Sequence, residues 1–335
     1  MRTAAHNALH TPVLARVCID ILRPALSGEN PVLIDCTLGM GGHAEAFLTE
    51  FPALQVIGID RDSQAICLAS ERLAPFGQRF HAVHATYDEV DRVAAHYGRD
   101  GYVDAVFMDL GVSSLQLDDA ERGFSYAHDA PLDMRMDLTQ GQSAAELLAK
   151  VSHGELTHIL RSYGEEKCAS RIAAQILRYR ENEPITRTGQ LVSIIDQAMP
   201  APARRSGGHP AKRTFQALRI AVNSELDVLS AAIWRAIESV HIGGRVLVES
   251  YHSLEDRIVK DAFTQGMTSS TPKGLPVELD SHKPFLRAVH RGALKADAAE
   301  IAANPRSASV RVRAVERIAS TPDHLYDPDN YRGVS

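Results

Sequence analysis

The sequence predicts an α/β fold, a doubly wound parallel sheet interrupted by a helical insertion. Three observations support this prediction. An apolar strand, a glycine turn, a helix and a second strand follow one another over residues 31–60. Strand and helix patterns then alternate as far as Asp109, as in a parallel sheet. From about Leu115 a polar, turn-rich stretch over 116–142 leads into helical patterns with no strand between them, and strand chemistry resumes at Arg245.

The first βαβ unit carries the strongest functional signal. Its first strand ends at Asp35, the glycine loop runs over residues 37–43, and the second strand ends at Asp60. Glycines let the backbone approach a ligand, and a carboxylate about twenty positions later can accept hydrogen bonds from a ribose. This pattern predicts a nucleoside site. Asp35 directly before the loop would repel a pyrophosphate, so the site favours a cationic or amine-bearing nucleoside.

The remaining elements follow from periodicity and from helix start and stop residues. They are strands over 79–84, 102–109 and 245–249, helices over 62–72, 87–97 and 214–240, and an antiparallel pairing of 285–289 with 309–315. In the insertion, Ser143 to Glu146 forms a capping box, and helices are expected over 155–163, 166–180 and 188–199. The predicted domains are a core over 1–114 and 221–319, a helical insertion over 115–220 and a polar tail over 320–335.

Composition limits the class of protein. The 335 residues, 44% hydrophobic, can bury a sizeable core, and the net charge of −6 argues against bulk coating of nucleic acid while allowing a local basic patch. The cysteines form no CxxC pair, and His81 and His84 would face opposite sides of a strand, so no metal site is expected. Without a membrane-length apolar run or a signal-peptide core, we expect a cytoplasmic protein with no membrane partner.

Two groups of basic residues are candidates for contact with phosphate. A solvated surface is the commoner explanation of such runs, and a phosphate backbone is the alternative, since arginine matches phosphate oxygens well. The first group lies on the return from the insertion and the second near the end of the chain: Arg204, Arg205, Lys212 and Arg213, then Arg306, Arg311, Arg313 and Arg317. The sequence leaves both interpretations open.

The candidate site residues share one position in the predicted sheet. In an open α/β sheet, ligands lie beyond the carboxyl ends of the strands. Asp35, Asp60, Tyr87, Asp109 and His252 all lie at or just after strand ends. A single aspartate there is more often a turn residue, but the set together predicts a ligand site. A hydrolase interpretation around His252 is disfavoured because no glycines flank the neighbouring serines.

Several strings in fixed order resemble one family, the bacterial 16S ribosomal RNA cytosine-N4 methyltransferases of the MraW type, from about residue 10 to residue 313. These strings are His10-Thr-Pro-Val-Leu14, Asp35-Cys-Thr-Leu-Gly-Met-Gly-Gly-His43, Asp109-Leu-Gly-Val-Ser-Ser114 with Gln116-Leu-Asp-Asp119, Arg122-Gly-Phe-Ser125, Pro131-Leu-Asp-Met-Arg-Met-Asp137, Tyr163-Gly-Glu-Glu166, Arg213-Thr-Phe-Gln-Ala-Leu-Arg219 with Asn223-Ser-Glu225, and His252-Ser-Leu-Glu-Asp-Arg257.

The resemblance implies a Rossmann-like class I S-adenosylmethionine-dependent methyltransferase with an inserted helical domain for substrate recognition. Its substrate would be the exocyclic N4 amine of one cytidine in the decoding region of 16S rRNA, within the small ribosomal subunit. The family's cofactor contacts match Gly41, Gly42, His43, Asp60, Tyr87, Asp109 and Gln116 here. This chain departs from the family's usual residues at Tyr87 and Tyr251, where phenylalanine is common, and at Leu115, where proline is common.

Methylation of this amine needs a hydrogen-bond acceptor, because the nitrogen lone pair is delocalised into the ring. Asp109 and Asp133 are the candidate acceptors, with Asp137 as a further one and His252 as an orienting group. Asp109-Leu-Gly-Val112 stands where DNA amino-methyltransferases carry an Asp/Asn/Ser-Pro-Pro-aromatic string.

Other functions stay open from the sequence. An amino-methyltransferase acting on DNA is disfavoured by the missing Pro-Pro-aromatic string and the acidic charge, and one acting on another RNA is a further alternative. A nicotinamide-dependent dehydrogenase is disfavoured because the negative charge of Asp35, directly before the glycine loop, would repel the pyrophosphate of its cofactor. A non-catalytic module that only binds a nucleoside is a further alternative. The oligomeric state is likewise open, a homodimer included.

Overall fold

A computed structural model describes residues 12–200, 209–272 and 279–325. The chain divides into two compact units. The sheet unit comprises Met1–Gly111 and Leu226–Ser335, and the helical unit comprises Val112–Glu225. Three sequence predictions fall outside the described residues: the start of the string at His10, the basic pair Arg204 and Arg205, and the tail beyond residue 325.

The sheet unit contains a seven-stranded sheet of order β3-β2-β1-β4-β5-β7-β6. Its strands are β1 Val32–Asp35, β2 Gln55–Asp60, β3 Phe80–His84, β4 Val103–Asp109, β5 Val240–Ser250, β6 Leu286–Ala288 and β7 Arg311–Arg317. The first five are parallel, while β7 pairs antiparallel with β5 and with β6. This confirms the predicted doubly wound sheet and the predicted antiparallel closing pair.

Thirteen helices in the described ranges complete the fold. They are α1 Ala15–Leu26, α2 Gly42–Glu50, α3 Ser63–Leu73, α4 Val90–Tyr97, α5 Ser114–Asp118, α6 Ala144–Lys150, α7 His153–Ser162, α8 Ala169–Arg180, α9 Thr188–Ala198, α10 Ala211–Asn223, α11 Glu225–Ser239, α12 Ser253–Met267 and α13 Ala298–Ala303. Across the described ranges, none of these helices has both the length and the apolar character needed to cross a lipid bilayer.

The sheet is buried on both faces, which explains the continuous apolar runs of its central strands. Successive side chains of a strand point to opposite faces. Leu33 and Phe107 accordingly join one core cluster, while Ile34, Ile57 and Val106 join the other. With both faces apolar, polar residues of these strands concentrate at their ends.

The helical unit has a core of its own. Leu156 and Leu160 of α7 and Ile172 and Ile176 of α8 are fully buried in it. The capping box predicted at Ser143 is present at the start of α6. Amphipathic helices thus bury their apolar stripes against each other within this unit.

The single helix expected over 214–240 is wrong, because α10 ends at Asn223 and α11 begins at Glu225. Ser224 between them has a left-handed φ of 49°. The buried side chain of Asn223 accepts from the Met136 amide and donates to the Met134 carbonyl, each at 2.8 Å. Contacts with a segment almost ninety residues earlier therefore accompany the break, and local periodicity cannot reveal them.

Candidate active site

Four buried or partly buried carboxylates lie at the carboxyl ends of adjacent parallel strands. Asp35 ends β1, Asp60 ends β2, Asp109 ends β4, and Glu249 lies one residue before the end of β5. These strands are neighbours in the order β2-β1-β4-β5, so their ends share one edge of the sheet. The structure thus places three predicted aspartates on one edge, and it adds Glu249, which the sequence reasoning missed.

The glycine loop between β1 and α2 is tied to these strand ends by hydrogen bonds from backbone amides to side-chain oxygens. The Gly39 amide donates to Asp60 Oδ2 at 2.8 Å, and the Asp109 amide donates to Thr37 Oγ1 at 2.6 Å. Gly39 and Gly41 have φ values of 51° and 77°, a region that favours glycine. Helix α2 begins at Gly42, directly after this loop.

Asp35 presents an unsatisfied acceptor beneath this loop. Its side chain is buried, its Oδ1 accepts from the Thr37 amide at 3.1 Å, and its Oδ2 accepts no hydrogen bond from any described residue. Burial raises the pKa of Asp35 to about 7, and the charges of Asp109 and Asp60 add to this rise. A buried acceptor without a donor suits a cationic group of a ligand.

Asp60 is the second perturbed carboxylate. Burial raises its pKa to about 6, although hydrogen bonds from the Asp62 and Gly39 amides oppose the rise. Each oxygen therefore already accepts one backbone hydrogen bond and has a second lone pair for a ligand hydroxyl.

Asp109 is held from two sides. The Tyr251 hydroxyl donates to its Oδ1 at 2.7 Å, and His43 Nδ1 lies 3.6 Å from its Oδ2. Burial raises the pKa of Asp109, while His43 and the Tyr251 hydrogen bond partly offset the rise. The side chain is still 27% exposed, so a ligand can reach it.

Behind Asp109 lies a buried cluster of Cys18, His43 and Glu249. His43 Nε2 is 2.9 Å from the Val13 carbonyl and 3.5 Å from Glu249 Oε2, and the Cys18 thiol donates to Glu249 Oε1 at 3.4 Å. Burial and the Asp109 charge raise the pKa of Glu249 well above its ordinary value. The three donor atoms are of the types that bind zinc and lie within 4.8 Å of one another. Within the cluster only Cys18 and Glu249 are hydrogen-bonded, and the buried Glu249 Oε2 accepts no hydrogen bond from the described residues.

His252 caps the N-terminus of α12. Its Nδ1 accepts from the Glu255 amide at 3.4 Å, and Glu255 Oε2 accepts from the Tyr251 and His252 amides. The N-cap of α12 is therefore His252. Because Tyr251 directly precedes this cap, the capping box also fixes the residue that binds Asp109.

The remaining predicted residues lie elsewhere. Tyr87 opens a short 3-10 helix after β3 and packs, partly buried, against the sheet core. In the helical unit, Gln116 completes a capping box with Ser113. Asp133 in the same unit forms a bidentate ion pair with Arg135 at 2.7 and 2.8 Å. Burial alone would raise the pKa of Asp133, but the Arg135 guanidinium outweighs it and lowers this pKa below its ordinary value.

The sheet order, the antiparallel β7 and the carboxylate edge around a glycine loop define a class I S-adenosylmethionine-dependent methyltransferase. S-adenosylmethionine is therefore the cofactor. A family model, the MraW methylase family, matches residues 7–318. The chain belongs to the MraW methylase family.

Two relatives illustrate this membership. The chain is 59% identical over 315 residues to the ribosomal RNA small subunit methyltransferase H of Beutenbergia cavernae, a match that covers 94% of each protein. It is 57% identical over 308 residues to the protein of the same name from a Nocardioides species, covering 92% of this chain and 96% of that one. The family resemblance seen in the sequence strings is thereby confirmed.

Proposed function

We propose that this chain transfers the methyl group of S-adenosylmethionine to the exocyclic N4 amine of a cytidine in the decoding region of 16S rRNA. The RNA would be presented within the small ribosomal subunit, in the cytoplasm. The relatives named above carry the substrate class in their names. One observation supports the chemistry: Asp109 is a partly exposed carboxylate of raised pKa at the end of β4.

The amine of cytosine is a weak nucleophile, so an acceptor has to draw its hydrogen away as the new bond forms. Asp109 fits this role because its raised pKa makes it a stronger base than an ordinary aspartate. Asp133 fits it less well, since Arg135 engages both of its oxygens and lowers its pKa. His252 would act indirectly, by fixing Tyr251 through the helix cap.

Residues of the sheet unit offer suitable partners for each part of the cofactor. Gly41, Gly42 and His43 at the start of α2 would line it, Asp60 would accept from the ribose, and Tyr87 would stack on the adenine. The orphan Oδ2 of Asp35 suits the positively charged end. When bound, the sulfonium supplies an electrophilic methyl group, and placement of the amine about 3–3.5 Å from it provides most of the rate. Gln116 remains a predicted contact from the helical unit.

The test is methylation of small ribosomal subunits that lack the modification, with labelled S-adenosylmethionine, followed by nuclease digestion and mass mapping of the labelled nucleoside. We expect N4-methylcytidine at one position of 16S rRNA. Asp109→Asn should lower the rate about 10²- to 10⁴-fold, the range of general acid–base catalysis, and Asp133→Asn much less. Label on another atom, or no label from protein that binds the cofactor, overturns the proposal.

A further inference from the structure

The two basic groups singled out in the sequence differ in what their side chains bind. In the second group, Arg311 and Arg313 both bind Asp256, at 2.8 and 2.7 Å. Arg317 binds Glu238 at 2.7 Å and donates to backbone carbonyls. These three arginines neutralise carboxylates of the sheet unit and bridge its elements, so the fold itself accounts for them.

The first group differs in its described members. Lys212 and Arg213 lie in the first turn of α10, and both side chains are exposed. Neither side chain forms an ion pair or a hydrogen bond with another residue of the described ranges. Nothing within the part of the chain that the structure describes accounts for these two charges.

This turn of α10 packs against the connection between α7 and α8. The backbone of Arg213 approaches Gly164 so closely that a Cβ placed on this glycine would lie 2.6 Å from the Arg213 carbonyl oxygen. In addition, the Gln216 side chain donates to the Tyr163 carbonyl at 3.1 Å. Three further exposed cations flank the connection, and their side chains also lack a partner among the described residues. We call the five together the basic end of the helical unit: Arg161, Lys167, Arg171, Lys212 and Arg213.

Most other cations of the helical unit are engaged. Arg135, Arg187 and Arg219 pair with carboxylates, and Arg180 donates to two carbonyls at the end of α6. Lys150 is exposed and unpaired among described residues, but it lies beside the far end of α8, near Arg180. Helix α8 has 12 residues and so spans about 18 Å. Among the described residues, five exposed cations without a carboxylate partner therefore lie at one end of the unit, while Lys150 and Arg178, which donates to the neutral Gln175 side chain, lie at the other.

We propose that the basic end binds the sugar–phosphate backbone of the RNA substrate. The inference rests on the proposed function, because it takes RNA as the substrate. Guanidinium groups match phosphate oxygens in a bidentate manner, and five unpaired cations at one end provide a local patch that the net charge of −6 does not exclude. Such contacts hold and orient RNA without reading its sequence.

The test compares 16S rRNA binding by the full chain, by Arg171→Ala/Arg213→Ala and by Lys150→Ala at several salt concentrations. Each lost contact to a phosphate should reduce the slope of log K against log salt by about 0.7–0.9. The double variant should therefore lose about 1.4–1.8 of slope, with affinity for S-adenosylmethionine unchanged. Lys150→Ala is the matched control, an exposed unpaired cation of the same unit, and should keep the wild-type slope.

The outcomes separate the two proposals. A wild-type slope in the double variant, or an equal loss in Lys150→Ala, overturns the basic end as the docking surface. A reduced slope in a protein that transfers no methyl group to the RNA supports the surface and refutes the proposed reaction. Because both substituted arginines are exposed and unpaired, circular dichroism and the thermal midpoint should match wild type and exclude misfolding as the cause.

Discussion

Tyr251→Phe is the sharpest perturbation that the site offers, since it removes one hydroxyl and keeps the ring. That hydroxyl donates to Asp109 Oδ1 at 2.7 Å. The ring packs beside Gly111: a Cβ placed on this glycine would be in van der Waals contact with Tyr251 Cδ2, at 3.6 Å. Burial raises the pKa of Tyr251, so the hydroxyl remains a donor throughout the working pH range. Phenylalanine should preserve the packing and remove only the hydrogen bond.

The size of the effect follows from the exposure of Asp109. A hydrogen bond to a charged group contributes about 1.5–3 kcal/mol when it is fully sheltered. Asp109 is 27% exposed, and water replaces part of the lost donor, so we expect about 1 kcal/mol. That is roughly a fivefold loss of kcat/KM at pH values well below the pKa of Asp109, where it is mostly protonated.

The direction in which the pH–rate profile should move follows from the pKa of Asp109. Burial already raises the pKa of Asp109, and the Tyr251 hydrogen bond lowers it. Loss of the hydroxyl therefore raises this pKa further, and the acid limb of the pH–rate profile moves to higher pH. At a pH above both values the variant should approach the wild-type rate.

The assay is kcat/KM for methyl transfer from pH 5 to 9, with Tyr102→Phe as the control. Tyr102 is an exposed tyrosine of the same unit, 44% accessible, and precedes β4. Its substitution should leave the acid limb unchanged. If Tyr251→Phe has the wild-type profile across this range, Asp109 is not the group whose ionisation limits the reaction, and its assignment as proton acceptor is refuted.

Three further predictions concern single groups. Burial raises the pKa of Asp35 to about 7, so affinity for S-adenosylmethionine by calorimetry should increase from pH 6 to 8, and Asp35→Asn should remove most of that increase. Ser224→Gly should stabilise the fold to urea by about 1 kcal/mol, because Ser224 has a φ of 49°; a loss of stability contradicts this. Burial alone would raise the pKa of Asp256, but hydrogen bonds from Arg313 and Arg311 outweigh it and lower this pKa. The ionised Asp256 therefore stabilises the fold fully above the unfolded pKa of about 3.9. This stabilisation is lost as the pH falls through the lower pKa of the folded state. Asp256→Asn should cost about 1–3 kcal/mol at pH 7 in denaturant unfolding, because the Arg311 side chain is 44% exposed and water replaces part of the lost pairing, and no measurable cost refutes the pairing.

Local patterns predicted the sheet and the aspartates of its edge. An apolar run that ends in an acidic residue identifies both a buried strand and its end, and parallel topology then brings Asp35, Asp60 and Asp109 to the same edge. The glycine loop was equally visible, because positive φ at Gly39 and Gly41 demands that residue type.

Residues whose duties depend on distant partners were out of reach. Glu249 ends an apolar run and resembles a solvent-facing strand end, yet it is fully buried against Cys18 and His43, more than two hundred residues earlier. Tyr251 likewise acquires its function only from the pairing of β5 beside β4. No periodicity or spacing in one sequence encodes such pairs. The acidic residue at the end of the β5 run was nevertheless a signal that Glu249 could belong to the site.

The electrostatics of this edge bear on the cycle of a methyltransferase. Burial raises the pKa of Asp35 and of Glu249, and the charge of Asp109 raises both further, so this edge holds carboxylates that resist ionisation. A cation beside them relieves that repulsion, and by linkage binding of the cation and ionisation of the carboxylates favour each other. Methyl transfer converts the sulfonium into a neutral thioether, which removes part of this attraction. Once ionised, the carboxylates of this edge therefore favour the charged cofactor over its neutral product.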